Sequence, residues 1–359
     1  MTFEEDLMKK FMSGFSLFLC AVLFLPLCGC EKRPVKYSYT DMTVFDTQTV
    51  IVGWDTDKTS FDEKAEAAMQ ELTRLHRLYD IYNTYDGINN LKTVNDNAGK
   101  TAVEVDGDII GMLEYCVAAY EATNGAVNAA MGSVTRLWHD CRVQGAEDED
   151  SARIPDAEVL KEAASHTDFS CVTIDKEAGT VYISDPQTSL DVGAVAKGYA
   201  AELCARFIES RGWDNMALNV GGNVRTVGLR EDGQPWVTGV ENPVEDTNGA
   251  SGGAYFCRIN LYGGEALVTS GSYQRYFVVN GVRYHHIIDP ETLMPENRYL
   301  SVSVLCTDSG MGDALSTALF NMSEEDGRGV LEAMGFDAAW VYPDGTVSYT
   351  GGFEERLLP

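Results

Sequence analysis

Basic side chains are scarce in this 359-residue chain: 27 Lys and Arg stand against 55 Asp and Glu, for a formal net charge of −28. A surface that acidic repels phosphate backbones, so nucleic acid is excluded as a partner. An anionic substrate would need a metal or a local basic group. No C-x-x-C pair occurs among the nine cysteines. Cys20, Cys28 and Cys30 lie near the N-terminus, and the other six (Cys116, Cys141, Cys171, Cys204, Cys257, Cys306) are scattered. These six read mainly as small buried hydrophobes, since a chain this long needs no disulfide staples. One disulfide stays open for an exported protein. There is no internal repeat and no long linker, and 45% apolar residues supply ample core for one compact domain.

What is present begins with an export segment. Lys9 and Lys10 precede an apolar run from Phe11 to Leu27, too short and wrongly flanked for a transmembrane helix. Leu27-x-Gly29-Cys30 has the form of a bacterial lipoprotein processing site. Lipidation of Cys30 would tether the mature chain to the outer face of the cytoplasmic membrane. Cys28 (read with Leu25), plain secretion, and a start at Met8 are the alternatives. The expected division is residues 1–29 as signal peptide, 30–41 as lipidated cysteine and linker, and 42–359 as the folded domain.

Periodicity predicts a strand over Thr43–Trp54 and helices over Phe61–Tyr79 and Asp106–Thr123. Asp80–Lys100 reads as loop, and Gln144–Ser151 as an acidic surface insertion. A hairpin turning at Glu177-Ala178-Gly179, a helix over Gly193–Arg211 and a strand over Ala217–Val220 follow. Further strands are expected at Trp236–Glu241, Tyr255–Leu261, Ala266–Thr269 and Ser301–Cys306. Asn280-Gly281 marks a hairpin between Gln274–Val279 and Val282–His286. Helices over Asp313–Asn321 and Glu325–Met334 precede a last hairpin across Asp344-Gly345. Many hairpins and few β-α-β alternations predict an α+β fold of mostly antiparallel sheets with packed helices.

Chemistry concentrates in a few segments. Arg283-Tyr284-His285-His286-Ile287-Ile288-Asp289-Pro290 puts two histidines and an aspartate at a hairpin end. Asp313 and Thr317, four residues apart at a helix start, would share one face and suit Mg²⁺, which takes oxygen ligands. The competing reading has Asp313 capping the helix, Thr317 packed inside and His286 as a satisfied core histidine. In Leu190–Ala200, Asp191 ends a strand and Gly193 permits a tight turn. The helix that follows would offer N–H groups to a phosphate, with Lys197 reaching back to it. Against this, Asp191 could simply cap the helix and Lys197 be solvated. Gly221-Gly222 reads first as a tight turn, and Thr269-Ser270-Gly271-Ser272 as a strand end that could line a phosphate site.

Together these segments resemble the ApbE family of FAD:protein FMN transferases. The likeness rests on Leu190-Asp191-x-Gly193-x-x-Ala196-Lys197-Gly198-Tyr199, Asn219-x-Gly221-Gly222-Asn223, Thr269-Ser270-Gly271-x-Tyr273-x-Arg275-Tyr276, His286-Ile287-Ile288-Asp289-Pro290 and Asp313-Ala314-Leu315-Ser316-Thr317-Ala318, in family order. Weaker similarity runs from Phe45-Asp46-Thr47 to near the C-terminus. The resemblance implies a single ApbE-like (T-fold-like) domain. It also implies Mg²⁺-dependent transfer of the FMN moiety of FAD to a Thr or Ser hydroxyl of an exported acceptor protein, releasing AMP. Asp313 and Thr317, with the Ala194 carbonyl, match magnesium ligands. Asp191, Lys197, Phe45, Tyr82, Ala126, Val127, Asn128 and Ile287 match FAD contacts, and His286 matches the base that activates the acceptor. Two departures stand out: the family's Gly-Ala-Phe-Asp reads Gly125-Ala126-Val127-Asn128, and its Met-Gly-Thr reads Phe45-Asp46-Thr47. A further oxygen ligand of the family is matched only by Gly310, or by Asp308 at shifted register. A Mg²⁺-dependent FAD pyrophosphatase and a non-catalytic flavin-binding lipoprotein are the alternatives.

Overall fold

The computed structural model describes residues 33–148, 151–243 and 255–359. The expected export segment and Cys30 lie outside the described residues. An eight-stranded sheet runs in the order β1-β2-β6-β7-β10-β13-β14-β15. Its strands are β1 (Val35–Asp41), β2 (Thr49–Asp55), β6 (Met216–Val220), β7 (Asn223–Val227), β10 (Ala266–Gly271), β13 (Ser301–Cys306), β14 (Asp337–Val341) and β15 (Val347–Tyr349). Every pairing is antiparallel. Three small sheets accompany it: β3 (Val103–Glu104) with β4 (Val172–Asp175) and β5 (Thr180–Ile183); β8 (Trp236–Glu241) with β9 (Tyr255–Leu261); and β11 (Tyr276–Val279) with β12 (Val282–His285).

Strand β13 shows why the sheet sits at the centre. All six of its residues are buried, so it is covered on both faces. Val302, Val304 and Cys306 pack against Leu315, Leu319 and Phe320 of the Asp313 helix (Ser309–Asn321). Leu305 turns the other way, toward Trp236, Ile259, Leu261 and Phe353. The Lys197 helix (Ala196–Ser210) joins the first layer, sharing a core with Phe61, Ala65 and Leu72 of the Lys58–Tyr79 helix. Each large apolar side chain buried this way contributes about 1.5–3 kcal/mol.

Several sequence expectations need correction. Val35–Asp41, expected as linker, is strand β1, in register with β2 from Val35↔Asp55 to Asp41↔Thr49. Its alternating Tyr37 and Tyr39 pack on the main core, a period-2 pattern obscured by Lys and Ser between them. Thr43–Gln48 is turn rather than strand, and Phe45 and Asp46 take φ of 55° and 50°. Leu91–Asp96 is a short helix capped by Asn90, inside the expected loop. The Arg142 helix (Gly132–Glu147) was not expected at all, because its buried Val134, Trp138 and Cys141 are thinly spread among polar residues. The Asp313 helix starts at Ser309 and is capped by Asp308, so Asp313 lies in its second turn and is not a cap. Nor does Asp191 cap the Lys197 helix, which begins at Ala196 without a side-chain cap. The glycine pair does form a two-residue hairpin turn between β6 and β7, with φ of 57° at Gly221 and 93° at Gly222.

Gly198 sets the distance between the Lys197 and Asp313 helices. A methyl group there would lie 2.2 Å from the Ser309 carbonyl oxygen and 2.4 Å from Asp313 Cβ. Both clashes involve atoms that cannot swing aside, so the helices must part. Gly198→Ala is expected to lower the unfolding free energy by about 1–3 kcal/mol. A urea midpoint equal to wild type would show that the two helices do not touch as described.

Candidate active site

The ends of β10 and β12 meet the Lys197, Asp313 and Arg142 helices around a cleft of about 380 Å³, within the range of small-molecule sites. The structure brings Phe45, Tyr82, Ala126, Val127, Asn128, Asp191, Ala194, Lys197, His286, Ile287, Asp313 and Thr317 to its wall, but not Asp289, which accepts from Glu291 N–H and the Thr292 hydroxyl.

The floor is built around Asp313, which is only 3% exposed. Its Oδ2 accepts a 2.8 Å hydrogen bond from the Gly198 N–H, and Lys197 Nζ stands 3.4 Å away. Burial raises its pKa above the ordinary carboxylate value, against the opposing pull of Lys197 and the Gly198 N–H. The N–H expected to be free for a phosphate at the start of the Lys197 helix is therefore partly taken by this carboxylate. Lys197 Nζ also donates to the Gly193 carbonyl at 3.2 Å, so it is fixed at the floor rather than solvated. The Thr317 hydroxyl is 3.2 Å from Ser270 Oγ, which is itself 2.7 Å from Ser316 Oγ. A chain of hydroxyls thus runs from the end of β10 to the Asp313 helix. Asp191 Oδ1 accepts from Gly193 N–H at 2.9 Å and Oδ2 from the Thr135 hydroxyl at 2.7 Å. Asp308 is spent elsewhere: it caps its helix and accepts from Tyr115 and Arg206. Gly310 packs against Tyr115 and Tyr199.

The two histidines have opposite roles. His285 is buried, with Nε2 2.6 Å from the Glu296 carbonyl and Nδ1 accepting from Ile287 N–H at 3.2 Å. Those partners fix the neutral Nε2–H tautomer, and burial holds its pKa down at about 4. His286 Nδ1 lies 3.3 Å from the Arg275 carbonyl, which can only accept, so Nδ1 carries the proton and Nε2 keeps its lone pair. Protein surrounds the ring on most sides, yet its edge opens to the cleft and to solvent. Enclosure by protein lowers its pKa, and the charges of Arg275 and Lys197 act in the same direction. Because solvent reaches the ring, the depression is smaller than sealing would give, but its sign leaves His286 neutral at pH 7.

Also lining the cleft, Tyr82 stacks on His139 with ring centres 5.0 Å apart and 29° between planes. Phe45 lies edge-on to His76 at 5.3 Å, and the Arg275 guanidinium donates to the Phe45 and Asp46 carbonyls at 3.2 and 3.0 Å. Asn128 uses its amide within the protein, donating to the Thr167 carbonyl at 2.8 Å and accepting from Ala130 N–H at 2.8 Å. A carboxylate at 128 could keep only the second of these bonds. Sequence reasoning missed Thr135, Trp138, His139 and Arg142, which line the cleft from one helix. Their spacing of i, i+3, i+4 and i+7 is a helical stripe, legible only once Gly132–Glu147 is recognised as a helix.

An acid, a lysine, hydroxyls, an open histidine and aromatic rings line one cleft, groups that suit a ligand carrying both phosphates and rings. The chain belongs to the ApbE family, whose sequence profile matches residues 41–340. It is 29% identical over 356 residues to the FAD:protein FMN transferase of Treponema pallidum, covering 94% of this chain and 93% of that protein. An FAD:protein FMN transferase of Klebsiella pneumoniae is 32% identical over 239 residues, 66% of this chain and 70% of the relative. The crystal structure of the ApbE protein from Thermotoga maritima superposes with a TM-score of 0.77 at 30% identity, covering 90% of this chain and all of that one. The flavin transferase ApbE of Vibrio cholerae, at 24% identity and a TM-score of 0.74 over 90% of this chain and all of that one, shares the fold.

His285 makes stability depend on pH. Its folded pKa of about 4 lies below the ordinary 6.5, so between these values the unfolded chain binds a proton that the folded chain does not. Its contribution is complete above pH 6.5 and is lost as pH falls toward 4, by up to roughly 3 kcal/mol. In urea titrations from pH 7 to 4, His285→Gln should flatten the wild-type slope by about one proton. Equal slopes for the two proteins would contradict the buried neutral histidine.

Proposed function

We propose that this protein is an FAD:protein FMN transferase that moves the FMN moiety of FAD onto a Thr or Ser hydroxyl of an exported acceptor protein, releasing AMP. The observation that carries the reading is the meeting, in one cleft, of a neutral His286 with a free Nε2 and the Asp313–Lys197 floor. The acceptor oxygen attacks the phosphorus of the FMN moiety, its proton passes to His286 Nε2, and the bond to the AMP phosphate breaks. Lys197 faces the charge that develops on the leaving AMP. Tyr82 and Phe45 offer ring faces to FAD, and Ala126, Val127, Asn128, Asp191 and Ile287 line the cleft around it.

The donor set fits Mg²⁺. Asp313 gives a carboxylate, Thr317 a hydroxyl and Ala194 a carbonyl, all hard oxygen donors. Among the described residues no group of three or more His, Cys, Asp or Glu could hold a metal. The ion would therefore keep water and substrate phosphates among its ligands, as magnesium does. Among the described residues the one cation paired with this buried carboxylate, Lys197, stands 3.4 Å away, which leaves room for the positive charge such an ion supplies. When bound, it would neutralise phosphate charge. The reading extends to location: a chain lipidated at Cys30 would meet its acceptors, FMN-binding domains of redox complexes, outside the cytoplasmic membrane. Among the described residues no helix is long and apolar enough to cross a membrane.

The test incubates the mature protein with FAD, Mg²⁺ and a candidate acceptor domain, and weighs the acceptor by mass spectrometry. An FMN-sized gain is expected. Free FMN and AMP without that gain would make the protein a pyrophosphatase, and unchanged FAD a binding protein. Asp313→Ala should lower Mg²⁺-dependent transfer on the order of 10²–10³-fold. His286→Ala should lower it by a similar or larger factor, about 10²–10⁴-fold. Full Mg²⁺-dependent transfer by Asp313→Ala would end the metal assignment.

A further inference from the structure

Asn321 is the last residue of the Asp313 helix. Asp313, Thr317 and Asn321 follow one another at i, i+4 and i+8, so one helical stripe faces the cleft with all three. The Asn321 Nδ2 group donates to the Ala126 carbonyl at 3.1 Å and to the Ile288 carbonyl at 3.3 Å. Reversing the amide would set oxygen against two oxygens, so its orientation is dictated by chemistry. Its Oδ1 is sealed from solvent and, among the described residues, has no hydrogen-bond partner. An unpaired buried acceptor is unfavourable, but the same amide supplies a donor to both the Ala126 and the Ile288 carbonyl. Both of those carbonyls belong to residues that line the cleft, as Asn321 does.

We infer that Asn321 is a positioning residue, tying the Ala126–Asn128 turn and the His286–Ile288 segment to the helix that carries Asp313 and Thr317. The three pieces come from distant parts of the chain, and the sheet ladder does not join them directly. Ile288 lies outside β12, held otherwise by an isolated bridge to Pro295. Arg298 donates to the Asn321 carbonyl at 3.3 Å, which secures the helix end from which the amide reaches. Through its two N–H bonds Asn321 would set the spacing between the ring-binding wall and the floor, and hold His286 at its distance from the phosphates.

This rests on the transferase reading, so the test has arms that do not. FAD binding is measured by quenching of flavin fluorescence, transfer by acceptor mass, and folding by thermal melting. Three variants are compared: Asn321→Leu, which removes both the donors and the unpaired oxygen; Asn321→Asp, which keeps the shape without N–H donors; and Asn321→Gln, which keeps the donors on a longer stem. The Leu and Asp variants should bind FAD about tenfold more weakly and show a kcat lowered about tenfold, and Leu, which leaves the Ala126 and Ile288 carbonyls without this donor, should melt below wild type. The Gln variant should recover part of both losses. In the wild-type protein, the Asn321 side-chain amide protons should exchange slowly by NMR, a readout independent of any variant's folding. Fast exchange, or folded Leu and Asp variants with wild-type FAD affinity and kcat, would overturn the inference. If wild type transfers no FMN, the transferase reading falls, and amide exchange with FAD affinity still decides the role of Asn321.

Discussion

The contact on which the rest depends is the close approach of the Lys197 and Asp313 helices at Gly198. With no side chain between them, the backbone N–H of Gly198 reaches the Asp313 carboxylate at 2.8 Å. The positive end of the Lys197 helix therefore faces a buried acid on its neighbour, which helps keep that acid charged against the cost of burial. Behind this contact, the buried Glu202–Arg225 pair bonds the two helices to β7, and Glu202 also accepts from Ser309 N–H at the start of the Asp313 helix. Position and charge of the floor are fixed by the same packing.

That floor also resolves an electrostatic difficulty. The chain is strongly acidic, yet its cleft must admit phosphates. Lys197 and Arg275 are held by backbone carbonyls on the cleft wall, where they concentrate positive potential in a small volume. Enclosure by protein holds the His286 pKa down, and the same charges act in that direction, so anion attraction and a neutral imidazole come from one arrangement. Its neighbour His285, with both nitrogens bonded inside the protein, is structural.

Much of this was legible in the residues. The hairpin at Asn280-Gly281, the turn at Gly221-Gly222 and the α+β class follow from local chemistry, glycine at positive φ and alternating strands. The grouping of Asp191, Lys197, His286, Asp313 and Thr317 came instead from the family resemblance, local spacing leaving capping and solvated readings open. What escaped was weakly periodic or misread by default. Strand β1 looked like a tether because its tyrosines alternate with Lys, Ser and Thr, and the Arg142 helix was hidden because its polar cleft face interrupts its apolar one.

The sequence by itself determined most of the strands, helices and tight turns, because those depend on residue type and on neighbours a few positions away. Only the tertiary structure decided that Asp313 takes its hydrogen bond from a different helix, that Asn128 spends its amide inside the protein, and that Asn321 spans two segments. Those outcomes turn on distances of about 3 Å between residues up to 195 positions apart. No local pattern encodes such distances; they are set when the helices pack on the sheet.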